Sequence, residues 1–281
     1  MNKSNNQTPS AMPFSRGIAW LVQSLTLMRL QAGRLLLIAV IMQVILGLTQ
    51  VPLIGLLVII SVPGLSAGVL EAFDVTRRGG YPGLNLLLKP LTSRKHAGRL
   101  FLMGVLIFVV GVLSISLVLS GSEDLFNPEL MSRIEQGDVD AITQLDPNSI
   151  SKMVLAFAVG IAISGTLSYF TIPLIWFGDR KLGNALVEGL KAMVVNWKPF
   201  LMLALGLFAT VIPVAIAAGL LLTMAGGGGL VSIIVMGGLM ILLLAFQMLL
   251  FGTQYCAFRD IFGIDESTEP QPPGDESQLV A

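Results

Sequence analysis

Four long stretches of the chain carry no charged residue: 35–70, 100–122, 153–178 and 199–258. A helix crosses a hydrocarbon core of about 30 Å with about 20 apolar residues. The two middle stretches therefore predict one span each. The last is interrupted by Gly226, Gly227, Gly228 and Gly229, whose backbone freedom suits a turn rather than a helix interior. It predicts two spans. The first stretch divides near Thr49, Gln50 and Pro52 into two short apolar helices, read either as two crossings or as a re-entrant hairpin that turns back inside the bilayer. The pattern predicts an all-α, polytopic bundle with six spans at about 35–50, 53–72, 100–120, 153–177, 200–224 and 230–256.

Outside the spans the period becomes that of amphipathic helices. Ile18, Leu21, Val22, Leu25 and Met28 recur at helical spacing among Gln23, Ser24, Thr26 and Arg29, and Leu182, Ala185, Leu186, Leu190, Met193 and Val194 alternate with Asn184, Glu188 and Lys191. Both predict helices lying in the membrane interface. An offset of 165 residues places Leu21 and Val22 on Leu186 and Val187, Leu25 on Leu190 and Met28 on Met193. Each segment then enters an apolar hairpin. This is a candidate internal repeat of interfacial helix plus two spans, the alternative being chance similarity between leucine-rich segments. Residues 16–262 read as one membrane domain, with a disordered arm at 1–15 and a disordered acidic, proline-containing tail at 263–281. The connection 120–152 holds seven acids against Arg133 and Lys152 and reads as a solvated cap, with Asn127, Pro128 and Gly137 bounding a short helix.

Composition strengthens the membrane assignment. Hydrophobic residues make up 54% of the 281 and charged residues 12%, about half the charged share of a soluble domain. The balance of 17 Lys and Arg against 17 Asp and Glu gives no reason to expect nucleic acid as a partner. The basic residues are placed unevenly: Lys3, Arg16, Arg29 and Arg34, then Arg77, Arg78, Lys89, Arg94, Lys95 and Arg99, then Arg180, Lys181, Lys191 and Lys198, then Arg259 share one side, while only Arg133 and Lys152 lie on the other. By the positive-inside rule the basic side is cytoplasmic and both termini lie there. The first apolar stretch begins only at Leu35 and no small-residue cleavage site follows, so the N-terminus is expected to stay uncleaved.

Candidate chemistry is sparse. The membrane cores contain no ionisable residue, which argues against a proton-coupled carrier or an ion pump. One Cys, Cys256, and one His, His96, cannot build a Cys/His metal site, and neither metal nor cofactor is expected. His96 sits in the basic stretch Arg94 to Arg99, which suits contact with anionic lipid headgroups better than acid-base work. Trp20, Trp176 and Trp197 fall near the basic ends of spans and read as interfacial anchors. Pro63, Pro173 and Pro213, with Gln43 and Gln247, are the candidates for packing or for lining a cavity. Gly64 and Gly68 form a G-x-x-x-G step that permits close helix approach. No nucleophile and base can be paired, so an enzyme is not expected.

The segment Tyr169 to Phe200, with Pro173, Asn196, Trp197, Pro199 and Phe200, resembles a recurring signature of an uncharacterised proteobacterial family of multi-pass inner-membrane proteins. The run from Arg16 to Met28 and the region from Pro63 to Asp74 resemble the corresponding family segments. The family is distantly similar to the membrane domains fused to some glycerophosphodiester phosphodiesterases. The resemblance implies a helical fold in a bacterial inner membrane and supplies no activity. The acidic stretch 120–152 is longer than the family's outer connection. The expected function is a non-enzymatic structural, assembly or regulatory role, with a membrane-protein partner or a second copy of the chain. A transporter or lipid-handling protein is the alternative.

Overall fold

The computed structural model describes residues 9–120, 147–225 and 229–263, together with 129, 132, 133 and 136. The expectations for the acidic connection, for the turn at Gly226–Gly228 and for the tail beyond Gly263 lie outside the described residues. Every element among the described residues is helical. In chain order they are α1 (Arg16–Leu30), α2 (Ala32–Gly47) with a 3-10 turn (Leu48–Gln50), α3 (Ile54–Arg77), α4 (Asn85–Thr92), α5 (Ala97–Val118), α6 (Pro147–Trp176), α7 (Leu182–Val195), α8 (Trp197–Ala225) and α9 (Gly229–Phe262). Six of these, α2 with its 3-10 turn, α3, α5, α6, α8 and α9, are long and apolar enough to cross a membrane. The chain is a multi-pass membrane protein.

Two compact units divide the chain, residues 31–190 in one and residues 1–30 with 191–281 in the other. In the first, α3 is the central helix. Its apolar span is 67% buried, against 11–22% for the other five spans, and Pro63 through Leu70 are buried without a break. Close approach explains the small residues there. A Cβ on Gly68 would lie 2.6 Å from Leu87 Cα, and one on Gly64 would strike the Leu91 side chain, so the G-x-x-x-G step is where α4 lies on α3. On α5, Gly104 meets the Ile60 carbonyl in the same way. α3 ends on Gly79 at φ +75°, whose N–H donates to the Thr76 carbonyl at 3.0 Å while Gly80 N–H returns to Val75 at 2.9 Å, the left-handed glycine cap that satisfies the last carbonyls. The α2–α3 turn is built without glycine; Leu53 takes φ 65° and is 83% exposed.

In the other unit, α1 lies on both α8 and α9. Its buried stripe is Gly17, Trp20, Leu21 and Ser24. Val22 and Leu25, expected on the same apolar face as Leu21, are exposed instead. The reason is steric: a Cβ on Gly17 would overlap the Pro199 carbonyl and lie 2.6 Å from Leu203 N, so backbone contact sets the docked face of α1 and leaves bulkier residues outside.

Three short helices, α1, α4 and α7, each precede a pair of apolar helices, and each lies on the second helix of a pair. α4 rests on α3 through Gly68, α7 on α6 through Gly189 opposite Phe170 and Thr171, and α1 on α9, where Ser24 Oγ donates to the Leu249 carbonyl at 2.9 Å. The offset of 165 residues pairs only α1 with α7, and α4, at eight residues, stands outside that candidate repeat.

Candidate functional site

The second helices of the pairs carry acids in or just beyond their last turns, and the polar chemistry of both units gathers around those acids. In the unit containing α1, Asp260 on α9 accepts two hydrogen bonds from the Arg16 guanidinium, Nε to Oδ2 at 2.6 Å and Nη2 to Oδ1 at 2.5 Å, and a third from Trp20 Nε1 at 2.7 Å. Trp20 is fully buried, with Phe200 at 5.5 Å between ring centroids. A bidentate Arg–carboxylate pair is geometrically specific as well as strong. Bonding to Asp260 raises the pKa of Arg16, so the guanidinium stays charged. Below it, Asn196 is fully buried and holds the chain ahead of α1: its Oδ1 accepts from Met12 N–H at 2.8 Å, and its Nδ2 donates to the Ser10 carbonyl at 3.0 Å. Ser10 N–H donates to the Ile261 carbonyl, also at 3.0 Å. Residues 9–15, expected to be disordered, are therefore docked, because a buried amide satisfies backbone groups that periodicity does not register.

The unit containing α3 repeats the motif with different residues. Glu71 on α3 accepts from Trp176 Nε1 at 2.8 Å and from Lys89 Nζ on α4 at 2.5 Å. One turn on, Asp74 is buried and pairs with Arg78 at 2.8 Å. The His96 ring stands edge-on to Trp176 with centroids 5.1 Å apart, shares a hydrogen bond of 3.1 Å with Ser93 Oγ through Nδ1, and places Nε2 3.3 Å from Asp179 Oδ1. Asp179, at φ 52° in a conformation Asp tolerates better than most residues, draws in Lys95 Nζ at 2.5 Å and Arg99 Nη1 at 3.0 Å. Arg180 and Glu188 pair at 3.1 Å across the entry to α7.

The Lys95 hydrogen bond, helped by Arg99, holds the Asp179 carboxyl below its ordinary value of 3.8 despite some desolvation. A carboxylate whose pKa is lower folded than unfolded contributes stability that is complete above the unfolded value and is lost as pH falls through the folded one. Amide exchange around residues 177–182, corrected for its intrinsic pH dependence, should therefore accelerate as the pH is taken below about 3.8, and an Asp179→Asn variant should show no such step.

The expected anchors separate into two kinds. Trp197 is 58% exposed on the outer side of α8. Trp20 and Trp176 face inward, each donating its indole N–H to a carboxylate, because an acid within reach offers the indole a better partner than an interface does. Pro63 and Pro173 are buried, while Pro213, Gln43 and the turn residue Gln50 are exposed; Gln247 is half-buried and Gln254 buried. Pro63, Pro173 and Pro213 lie on three different helices, α3, α6 and α8, with Gln43 on α2 and Gln247 on α9. A crevice in the unit containing α1 is lined by α8 and α9 side chains that are all apolar. The basic stretch at 94–99 is drawn partly inward, with Lys95, His96 and Arg99 gathered on Asp179, so fewer of its charges are free for headgroups than the sequence implies.

Sequence reading missed Glu71, Asp74, Asp179 and Asp260 as organising groups. Charged residues bound the uncharged stretches, yet α3 continues six residues beyond Glu71 and α9 two beyond Asp260. An acid inside the last turns of an apolar helix was the available signal. These acids pair with cations, and Glu71, Asp179 and Asp260 accept side-chain hydrogen bonds as well, an arrangement that holds helix ends. No family model, curated protein or solved structure matches the chain.

Proposed function

We propose that the protein is a non-enzymatic component of a bacterial inner membrane, with both termini cytoplasmic, that acts as a scaffold in assembly or regulation of a membrane-protein partner. The observation that carries this reading is the use of the acids at the helix ends: Asp260 and Glu71 each bind a tryptophan N–H and a cation, which fixes short helices to span ends and leaves those groups committed to structure. Orientation rests on the placement of Lys and Arg, 15 against 2. A transporter would use mid-bilayer polar groups to meet its cargo, and the crevice between α8 and α9 offers none. The resemblance of Tyr169–Phe200 to the proteobacterial inner-membrane family points to the same location.

The orientation is tested with a membrane-impermeant maleimide on intact cells, in a Cys256→Ala background. Leu53→Cys, at the α2–α3 turn, should label from outside, and Ser15→Cys should label only once the membrane is opened. Labelling of Ser15→Cys on intact cells would overturn the orientation, while a silent Leu53→Cys on both sides would make α2 and α3 a re-entrant pair.

A further inference from the structure

The arm ahead of α1 is held by its main chain, and the groups that hold it match the edge of an extended peptide. Ser10 N–H donates to the Ile261 carbonyl at 3.0 Å, the Ser10 carbonyl accepts from Asn196 Nδ2 at 3.0 Å, and Met12 N–H donates to Asn196 Oδ1 at 2.8 Å. In an extended chain the N–H and C=O of one residue share an edge with the N–H two residues on. Asn196 and Ile261 therefore offer the acceptor, donor, acceptor series that a neighbouring strand would offer. The amide is fixed in place, because Nδ2 also donates to the Ala192 carbonyl at 3.0 Å. Side chains add little: Ser10, Ala11, Pro13 and Phe14 are exposed, and Pro9 and Met12 are half-buried. Pro9 and Pro13 flank the two N–H groups that are used, and Pro13 steers Met12 to the extended region.

We propose that Asn196 and Ile261 form a peptide clamp whose resident ligand is the arm, and that an extended segment of the partner protein displaces the arm from it; the source of that segment rests on the scaffold reading. The clamp needs two donors and one acceptor at main-chain spacing. A phospholipid phosphate carries acceptors only, and a cation carries none of the three, so the series selects a peptide. Exchange is favoured by how the arm is held. Three main-chain hydrogen bonds stand against the conformational entropy of ordering the arm, and little apolar surface is buried to add to them. α1 has anchors of its own in Arg16, Trp20 and Ser24, so the arm leaves without it. Because the contacts are to backbone, the incoming segment is defined by free N–H groups two residues apart rather than by its side chains.

The test uses the full chain in detergent and a fluorescent synthetic peptide with the sequence of residues 9–15, read by anisotropy. Ser10→Pro combined with Met12→Pro deletes both donors of the arm; this variant should bind the peptide, and the unsubstituted protein should bind it at least about tenfold more weakly because the tethered arm competes. N-methylating the peptide at the position of Met12 should weaken binding about tenfold, the loss of one hydrogen bond. Replacing its exposed side chains should change binding by less than about threefold. No binding to the variant, equal binding to both proteins, or indifference to N-methylation would overturn the proposal. So would a dimer of the unsubstituted protein that the two substitutions dissolve, since the arm would then serve a second copy. The variant should also retain the protein partner more strongly in native mass spectrometry. A partner retained equally by both proteins would overturn the exchange and leave the scaffold reading intact, whereas a clamp that binds peptide in a chain with no protein partner would overturn the scaffold reading and leave the clamp.

Discussion

Leucine at position 104 should prevent α3 and α5 from packing and should leave little protein that survives extraction from the membrane. The Cβ such a residue brings would overlap the Ile60 carbonyl oxygen and lie 2.6 Å from its carbon and 2.9 Å from Ile60 Cα. All three are main-chain atoms of a helix, so no side chain can turn aside, and the two helices must part along their contact. Overpacking a core typically costs 1–3 kcal/mol when side chains absorb it; with backbone as the obstacle the expected cost is at least about 3 kcal/mol. Gly111, on the same helix with open space around its Cβ position, supplies the control. Gly111→Leu should unfold within a few degrees of the unsubstituted protein in detergent, and Gly104→Leu should be lower by about 10 °C or not recoverable.

The second large effect is expected at Asp260. Alanine there removes three hydrogen bonds at once and leaves a guanidinium beside a buried indole with no acceptor in place. Hydrogen bonds to charged groups contribute about 1.5–3 kcal/mol each where buried. Arg16 is about a third exposed and recovers part of that from water, so the expected loss is about 2–3 kcal/mol. It should be local. The arm from Ser10 to Ser15 and the start of α1 should detach while α8 and α9 remain folded, and trypsin should cut after Arg16 well before any span is lost. Asp260→Asn, which keeps one acceptor for Trp20, should lie between the two. Equal protease sensitivity in the three proteins would show that the carboxylate does not hold the arm.

The contrast between these sites explains what a single sequence could reveal. The six apolar helices were legible because a bilayer imposes a length and a composition that few other environments demand, and all six spans begin and end within six residues of their expected limits. Ends were less legible. Glu71 and Arg259 mark the edge of an uncharged window, but an acid that finds a tryptophan and a cation is tolerated inside the helix, so α3 and α9 run on to Arg77 and Phe262. The interfacial helices α1 and α7 were visible from their period, yet the docked face of α1 was not, since it is set by the close approach of Gly17 to Pro199 rather than by hydrophobicity. Least visible were the clusters themselves. Arg16 and Asp260 are 244 positions apart and Glu71 and Trp176 are 105 apart, and nothing local in either segment announces the other.

The clusters also bear on how the protein works. A short helix fixed to a span end by one carboxylate is a discrete attachment, and among the described residues it occurs at Asp260 and again at Glu71. Such attachments orient the short helices on the spans they cap. The exposed residues Trp197, Val187 and Val194 lie on α8 and α7 near the basic ends, where the proposed orientation places the cytoplasmic interface.

The most direct test of the proposed role is native mass spectrometry of the protein released gently from its own membrane. The scaffold reading predicts a second protein at fixed stoichiometry, lost when Asp260 and Glu71 are replaced together. A chain that arrives without any protein partner, carrying a single small molecule or lipid that exchanges with added ligand, would contradict that reading and make carriage of that molecule the function to pursue.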